Sequence, residues 1–348
     1  MRIERAKLLQ ALELAEPGLA RKESVDQSSC YVFTKGQLVT YNDLLACRIP
    51  SPLGTAVAGA VPAKNLLKIL GKIPDETLDV SVGPEYLTLK GKGRRTRLRL
   101  EREVRLPIEA VEEPASWRPV PEELIEVLRV VGRCAGTDPS KFSLMCVHLA
   151  PAYLECFDNQ QFCRHQLETG LKNDVFVTQD TLKHLQHRGA QAWSLTRAWL
   201  HFKSALDLVI SCRRYQTKFP DLTPLLEAGG TKLTLPKGLA AGALIAQIVA
   251  EEITYSDGSK SKKYLEVSLR RGAMRVTGLG PLGEHAEQRQ VDYQGPELEF
   301  LMTPEVLVEL ANRHTECRVL RDRLHVHTPQ LVYATRLGRK KENGDEVP

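Results

Sequence analysis

Val61-Pro-Ala-Lys-Asn-Leu-Leu-Lys-Ile-Leu-Gly-Lys-Ile-Pro74 reads as a short amphipathic helix introduced by proline. Pro62 stands at the entry, where a missing N–H is tolerated. Leu66, Leu67, Leu70 and Ile73 turn one way, while Lys64, Lys68 and Lys72 recur at i, i+4 and i+8 on another face. Outward from this stretch the same element returns twice. The helix Ala63 to Ile73 is matched by Gln179 to His187 and by Pro304 to His314. Each follows an earlier helix, Glu4 to Ala15, Pro121 to Ala135 and Pro236 to Glu252, whose starts advance by roughly 115 residues.

The intervening segments alternate with the period of half-buried strands, among them Tyr31-Val-Phe33, Leu78-Asp-Val-Ser-Val82, Tyr153-Leu-Glu-Cys-Phe157, Leu206-Asp-Leu-Val-Ile210 and Tyr264-Leu-Glu-Val-Ser-Leu269. Strands outnumber helices and follow one another directly, which predicts an α+β fold with antiparallel sheets rather than β-α-β crossovers. The expectation is three repeated domains, each with two helices backed by antiparallel sheets. Pro107 to Pro121 holds four prolines, and Phe219 to Gly230 carries Pro220, Pro224, Gly229 and Gly230. These stretches are expected to be connectors, giving domains 1–115, 116–230 and 231–338, with 339–348 a flexible charged tail.

A chain of 348 residues exceeds what one core usually organises, and 42% hydrophobic with 26% charged residues is ordinary for a globular protein. The net charge of +5 permits a polyanionic partner without demanding one. Gly238 to Ala250, the longest apolar run, is too short to span a bilayer, and Met1 to Lys7 lacks the apolar core of a signal peptide. A cytoplasmic protein without a membrane partner is expected. The eight cysteines contain no C-x-x-C pair and read as small buried hydrophobes in a reducing compartment.

No phosphate loop, nucleophile elbow or H-E-x-x-H motif is present, so neither an enzyme nor a cofactor is indicated. Gly278-Leu-Gly-Pro-Leu-Gly283 reads as a turn. His184 and His187 lack a third ligand at suitable spacing, and His325 and His327 read as edge-strand histidines, so no metal is expected.

The opening stretch and Ile210-Ser-Cys-Arg-Arg-Tyr-Gln-Thr-Lys-Phe-Pro-Asp-Leu222 resemble the bacterial DNA polymerase III β-subunit family of sliding DNA clamps. In that family the first begins the second helix of domain one, and the second ends domain two with a basic residue before Phe-Pro-Asp. With Val291-Asp-Tyr-Gln-Gly-Pro-Glu-Leu-Glu-Phe300 in domain three, the resemblance covers nearly the whole chain. It implies a head-to-tail homodimer closing into a six-domain ring around double-stranded DNA, with helices lining the hole. Such a ring tethers a replicative DNA polymerase, and short peptide motifs of the polymerase and the clamp loader dock on it. Neither catalysis nor sequence preference is implied.

Carried over residue by residue, the family's DNA contacts fall on Arg21, Lys22, Lys141, Phe142, Lys262 and Lys263. Lys64, Lys68 and Lys72 fit either a phosphate-facing stripe or a solvated face, and the ring context selects the first. Arg129 and Arg133 share a helical face, and Lys183, His184, His187 and Arg188 crowd another. Glu122, Glu123 and Glu126 oppose them, Asp180 stands where the family is basic, and in domain three Glu305 and Glu309 meet only Arg313 and His314. The family's partner-peptide pocket matches Phe157, Asp158, Asn159, Gln160, Gln161 and Phe162, then Pro220, Pro224 and Leu225, then Thr335, Arg336 and Leu337. Phe162, Leu225 and Leu337 are expected to form its apolar floor. The terminal Met-Pro-Met type of segment is replaced by Arg336-Leu337-Gly338, which points to a changed partner peptide, as would suit a phage or mobile-element clamp. Leu98 to Leu106 and Ala273 to Gly278 are the candidate dimer edges. Two alternatives remain open: a clamp-fold regulator or adaptor that binds replication partners without encircling DNA, and a monomeric nucleic-acid-binding module.

Overall fold

The computed structural model describes residues 1–23, 25–227, 229–253 and 262–338, so the expected tail 339–348 lies outside the described residues. Among the described residues six α-helices form where the apolar period places them: α1 (Arg5–Ala15), α2 (Ala63–Leu70), α3 (Leu124–Val131), α4 (Gln179–Leu182), α5 (Leu239–Val249) and α6 (Pro304–Arg313). In each third of the chain the helices meet as a pair. α1 touches α2, α3 touches the 3-10 turn Lys183–Leu185 that continues α4, and α5 packs on α6.

Several helices are shorter than their apolar pattern. α2 stops at Leu70, where the Gly71 and Ile73 N–H groups close the exit on the Leu67 and Ile69 carbonyls ahead of Pro74. Lys72 is therefore in the exit turn and not on the helix. α4 keeps one α-turn before tightening into 3-10 geometry.

The described residues form two compact units. The first comprises Met1–Arg133, Asp138–Leu154 and Leu167–Lys218. One of its sheets orders the strands Arg2–Glu4, Thr77–Val82, Tyr86–Gly91 and Arg94–Arg99, all antiparallel. Another runs from Gly59–Pro62 through Cys30–Thr34, Gln37–Tyr41 and Leu45–Pro50 to Val209–Tyr215. The pairing of Leu45–Pro50 with Val209–Tyr215 carries one hydrogen-bonded ladder from the first third into the second, which makes them a single compact body. The Pro-rich stretch after Leu106 is packed and not a free linker. Leu106 and Val111 share a core with the fully buried Trp199, whose indole N–H donates to the Ala110 carbonyl at 2.9 Å.

The second unit comprises Cys134–Thr137, Glu155–Gln166 and the described residues from Phe219 onward. Its sheet orders Thr231–Thr234, Glu316–Val319, Arg323–His327, Leu331–Arg336 and Gln161–Gln166. A second sheet orders Gly283–Gln290, Ala273–Gly280, Leu265–Arg270 and Leu298–Met302. α5 lies close on Ala273–Gly280, since a Cβ at Gly278 would stand 2.0 Å from the Ala246 carbonyl oxygen. Gly278 and Gly280 thus lie in the strand under the helix, and only the segment around Pro281-Leu282 turns.

Three expectations are corrected here. Arg323–His327 lies between two strands and is not an edge, and His325 is buried within it. Ala273–Gly280 is likewise internal, and the edges of its sheet are Gly283–Gln290 and Leu298–Met302. Leu337, expected in the peptide pocket, belongs to another core described below. All eight cysteines are free and buried, and desolvation pushes Cys47, Cys146, Cys212 and Cys317 up to about 12.

Candidate nucleic-acid and peptide interfaces

The expected DNA contacts divide by what surrounds them. Arg21 and Lys22 are exposed on the loop before Cys30–Thr34, and Lys64, Lys68 and Lys72 are exposed on α2 and its exit. None of these five is paired with a carboxylate among the described residues. Lys141 is exposed too, with φ −115° and ψ 55° inside a 3-10 segment. Its neighbour Phe142 sets its ring edge-on to Tyr215, centroids 4.7 Å apart, while staying 37% exposed.

The second-third helices are closer to neutral. Lys183 is bound by Asp180 at 2.6 Å, the residue standing where the family is basic. Glu126 takes Arg129 in the same way along α3. Arg188 turns its guanidinium back to the His184 carbonyl at 2.7 Å. In the second unit Lys263 donates to the Gln247 carbonyl at 2.9 Å, and Glu309 pairs Arg313 on α6. Lys183, Arg129 and Arg313 are thus charge-compensated by carboxylates, whereas Arg188 and Lys263 keep their charge with a donor occupied by a carbonyl.

Most of the residues expected to form a peptide pocket gather within the second unit. Asp158, Asn159 and Gln160 form the tip of the hairpin joining Tyr153–Phe157 to Gln161–Gln166, with Asn159 at φ 71°. The Asp158 carboxylate accepts from the Gln160 and Gln161 N–H groups at 2.9 and 2.6 Å, so its role is to fold this turn. Burial raises its pKa, moderated by those two N–H groups and by the Lys262 charge. The hairpin's second strand pairs with the C-terminal strand, setting Phe162 opposite Ala334 and Gln161 opposite Thr335. Tyr333 locks the register by donating its hydroxyl to Gln161 Oε1 at 2.8 Å.

The Phe-Pro-Asp stretch delivers the rest. Asp221 accepts from the Thr223 N–H at 3.0 Å and starts the 3-10 turn Thr223–Leu225. That turn brings Leu222, Leu225 and Leu226 against Phe162, Val332 and Ala334, with Phe157 and Phe219 beside them. Pro220, Pro224 and Arg336 are exposed at the rim, and Thr335 is buried. Leu337 instead packs into the core of α5, α6 and their sheet, bordering a cleft of about 630 Å³ with Glu266, Arg275 and Arg321. Leu222 lies within the matched segment Pro220 to Leu225, while Phe219, Leu226, Val332 and Ala334 join the same apolar cluster without having been read from the motifs. The alternation of Val332 and Ala334 on one strand face was the available signal.

Among the described residues no group of three or more His, Cys, Asp or Glu is placed to hold a metal ion, and no helix is long and apolar enough to cross a membrane.

Helix pairs backed by antiparallel sheets, repeated along the chain, define the three-domain DNA-clamp fold. No family model and no curated protein sequence matches the chain, whereas solved structures of DNA polymerase III β subunits, the bacterial sliding clamps, match it end to end. The sliding clamp of Bartonella birtlesii, solved bound to griselimycin, superposes with a TM-score of 0.81 at 15% identity, covering 98% of this chain and 99% of that one. The β subunit of Thermotoga maritima gives 0.76 at 16% identity with the same coverage. The clamp of Bacillus subtilis gives 0.77 at 13% identity, again over 98% and 99% of the two chains. The likeness is one of fold.

Proposed function

We propose that this protein is a sliding DNA clamp, a cytoplasmic processivity factor without catalytic chemistry or cofactor. As a homodimeric ring of three domains per chain, 1–115, 116–230 and 231–338, it encircles duplex DNA and tethers a replicative polymerase. The observation carrying the reading is the end-to-end match to sliding clamps, 98% of this chain against 99% of theirs. A likeness confined to one repeat would be compatible with many functions. Support comes from the unpaired cations Arg21, Lys22, Lys64, Lys68, Lys72 and Lys141, which suit phosphate contact without base readout. The apolar cluster around Phe162 and Leu222 suits a short hydrophobic peptide from the polymerase or loader.

Ring closure needs two complementary ends. The edge strands Arg94–Arg99 and Gly283–Gln290 are each open to strand addition, and the first is basic. Beside the second edge α5 exposes Leu244, Ile245 and Ile248, at 51%, 50% and 66%, an apolar face that a second copy would cover. An adaptor that does not encircle DNA is the second reading, favoured by the neutralised Lys183 and Arg129.

Retention on nicked circular against linearised plasmid after loading, with mass by light scattering in the same buffer, tests the proposal. A dimer that stays on circles and runs off linear ends is the expected result. A monomer, or equal loss from both DNAs, would transfer the assignment to the adaptor.

A further inference from the structure

The sheet Arg2–Glu4, Thr77–Val82, Tyr86–Gly91, Arg94–Arg99 buries Leu78, Val80, Leu87, Leu89 and Leu98 on one face, while on the other Thr88 is covered and the charged side chains around it are exposed. That second face is strongly cationic. Arg95, Arg97 and Arg99 alternate along the last strand, Lys90 lies directly opposite Arg95, and Asp79 opposite Lys90 is the carboxylate in the same row. All five are exposed, and none of the four cations is bridged by a carboxylate among the described residues. The Arg97 guanidinium lies over the Tyr86 ring, 4.1 Å from its centroid.

Two explanations within the chain fall short. Charges on an edge strand deter aggregation, but Lys90 is on an internal strand and gains nothing that way. A second copy added at this edge through Gly283–Gln290 would bring Glu284 and Glu287, which already pair with Arg275 and Arg289. Like charges directly opposite one another, as at Lys90 and Arg95, destabilise a sheet unless an anion lies between them. The fold thus keeps a repulsion that an external polyanion would relieve.

We propose that this face binds single-stranded DNA, at a site separate from the duplex-facing cations. Arginines at every second residue repeat at about 6.7 Å, the order of the phosphate spacing of an extended strand. Guanidinium forks suit phosphate oxygens, and the Tyr86–Arg97 stack offers a platform for a base. An acidic polypeptide would use the charges but leave the platform idle.

The test is binding of a fluorescent 20-nucleotide oligo(dT) probe to the full-length protein across a salt series. Arg97→Gln with Arg99→Gln should weaken binding at least about tenfold and lower the log–log salt slope by about 1.4, near 0.7 for each phosphate no longer neutralised. Tyr86→Ala should weaken it by about tenfold with the slope unchanged, the signature of lost stacking. Lys90→Gln, on the internal strand and away from the ring-closing edge, should lower the salt slope by about 0.7 while retention on circular duplex stays at the wild-type value, which separates this site from the clamp reading. Undiminished oligo(dT) binding by the arginine variant would overturn the proposal. So would displacement of the oligonucleotide by poly-glutamate of equal charge together with no effect of Tyr86→Ala, which would make the face a docking surface for acidic protein.

Discussion

His201 sits with 1% of its surface exposed between Ser211 Oγ, 2.8 Å from Nδ1, and Thr196 Oγ1, 2.9 Å from Nε2. Burial pushes its pKa from 6.5 down to about 4. Between those values the unfolded chain takes up a proton that the folded chain refuses. Stability is therefore complete above the unfolded value and falls as pH drops through the window, by about 2 kcal/mol at pH 5 from this residue alone. His184, His314 and His325 are pushed down by burial too and add in the same direction. Urea midpoints should accordingly fall between pH 7.5 and pH 5, and His201→Gln, which can still bond Ser211 and Thr196, should shrink that fall. An unchanged difference between the two pH values would argue against His201 as a source.

At the scale of elements, the pocket and the core behind it are separable. Leu225 is half-buried on a 3-10 turn, so Leu225→Asp should abolish binding of a hydrophobic partner peptide, read by fluorescence anisotropy, with little change in melting temperature. Leu337→Ala should do the reverse, costing about 2–4 kcal/mol of stability in denaturant while peptide affinity holds. Helices such as α2, α3 and α6 were legible because an apolar stripe recurs over two or more turns, whereas α4 keeps a single α-turn and was read longer than it is. Helix ends were not legible, since a cap such as Gly71 or a slide into 3-10 geometry at Lys183 is decided by a few backbone bonds. Phe162 and Leu225, named from motif position, fall in one apolar cluster, and Asp158 folds the turn beside it. Ala334 opposite Phe162 was not legible, because a strand pairing across that much sequence leaves only weak alternation as its trace. Leu337 was misassigned for a related reason. Past Arg336 the chain hands its side chains to the core of α5 and α6, and the Leu337 N–H bonds the Asp322 carbonyl.

At the scale of the whole molecule, the proposed dimer would bury the exposed apolar face of α5. Ile248→Asp, at a position already 66% exposed, should leave the fold intact, convert the dimer to a monomer in light scattering, and remove retention on circular DNA. A dimer that survives the substitution would place the contact elsewhere. The burial of all eight cysteines bears on how such an assembly can be watched. With desolvation holding the thiols protonated, native positions such as Cys47 and Cys317 react slowly with alkylating dyes. A single cysteine introduced on the surface of the otherwise unaltered protein therefore becomes its one fast-labelling position. A spin label or fluorophore there can report the distance between two copies as a ring opens and closes, with no native thiol to mutate away first.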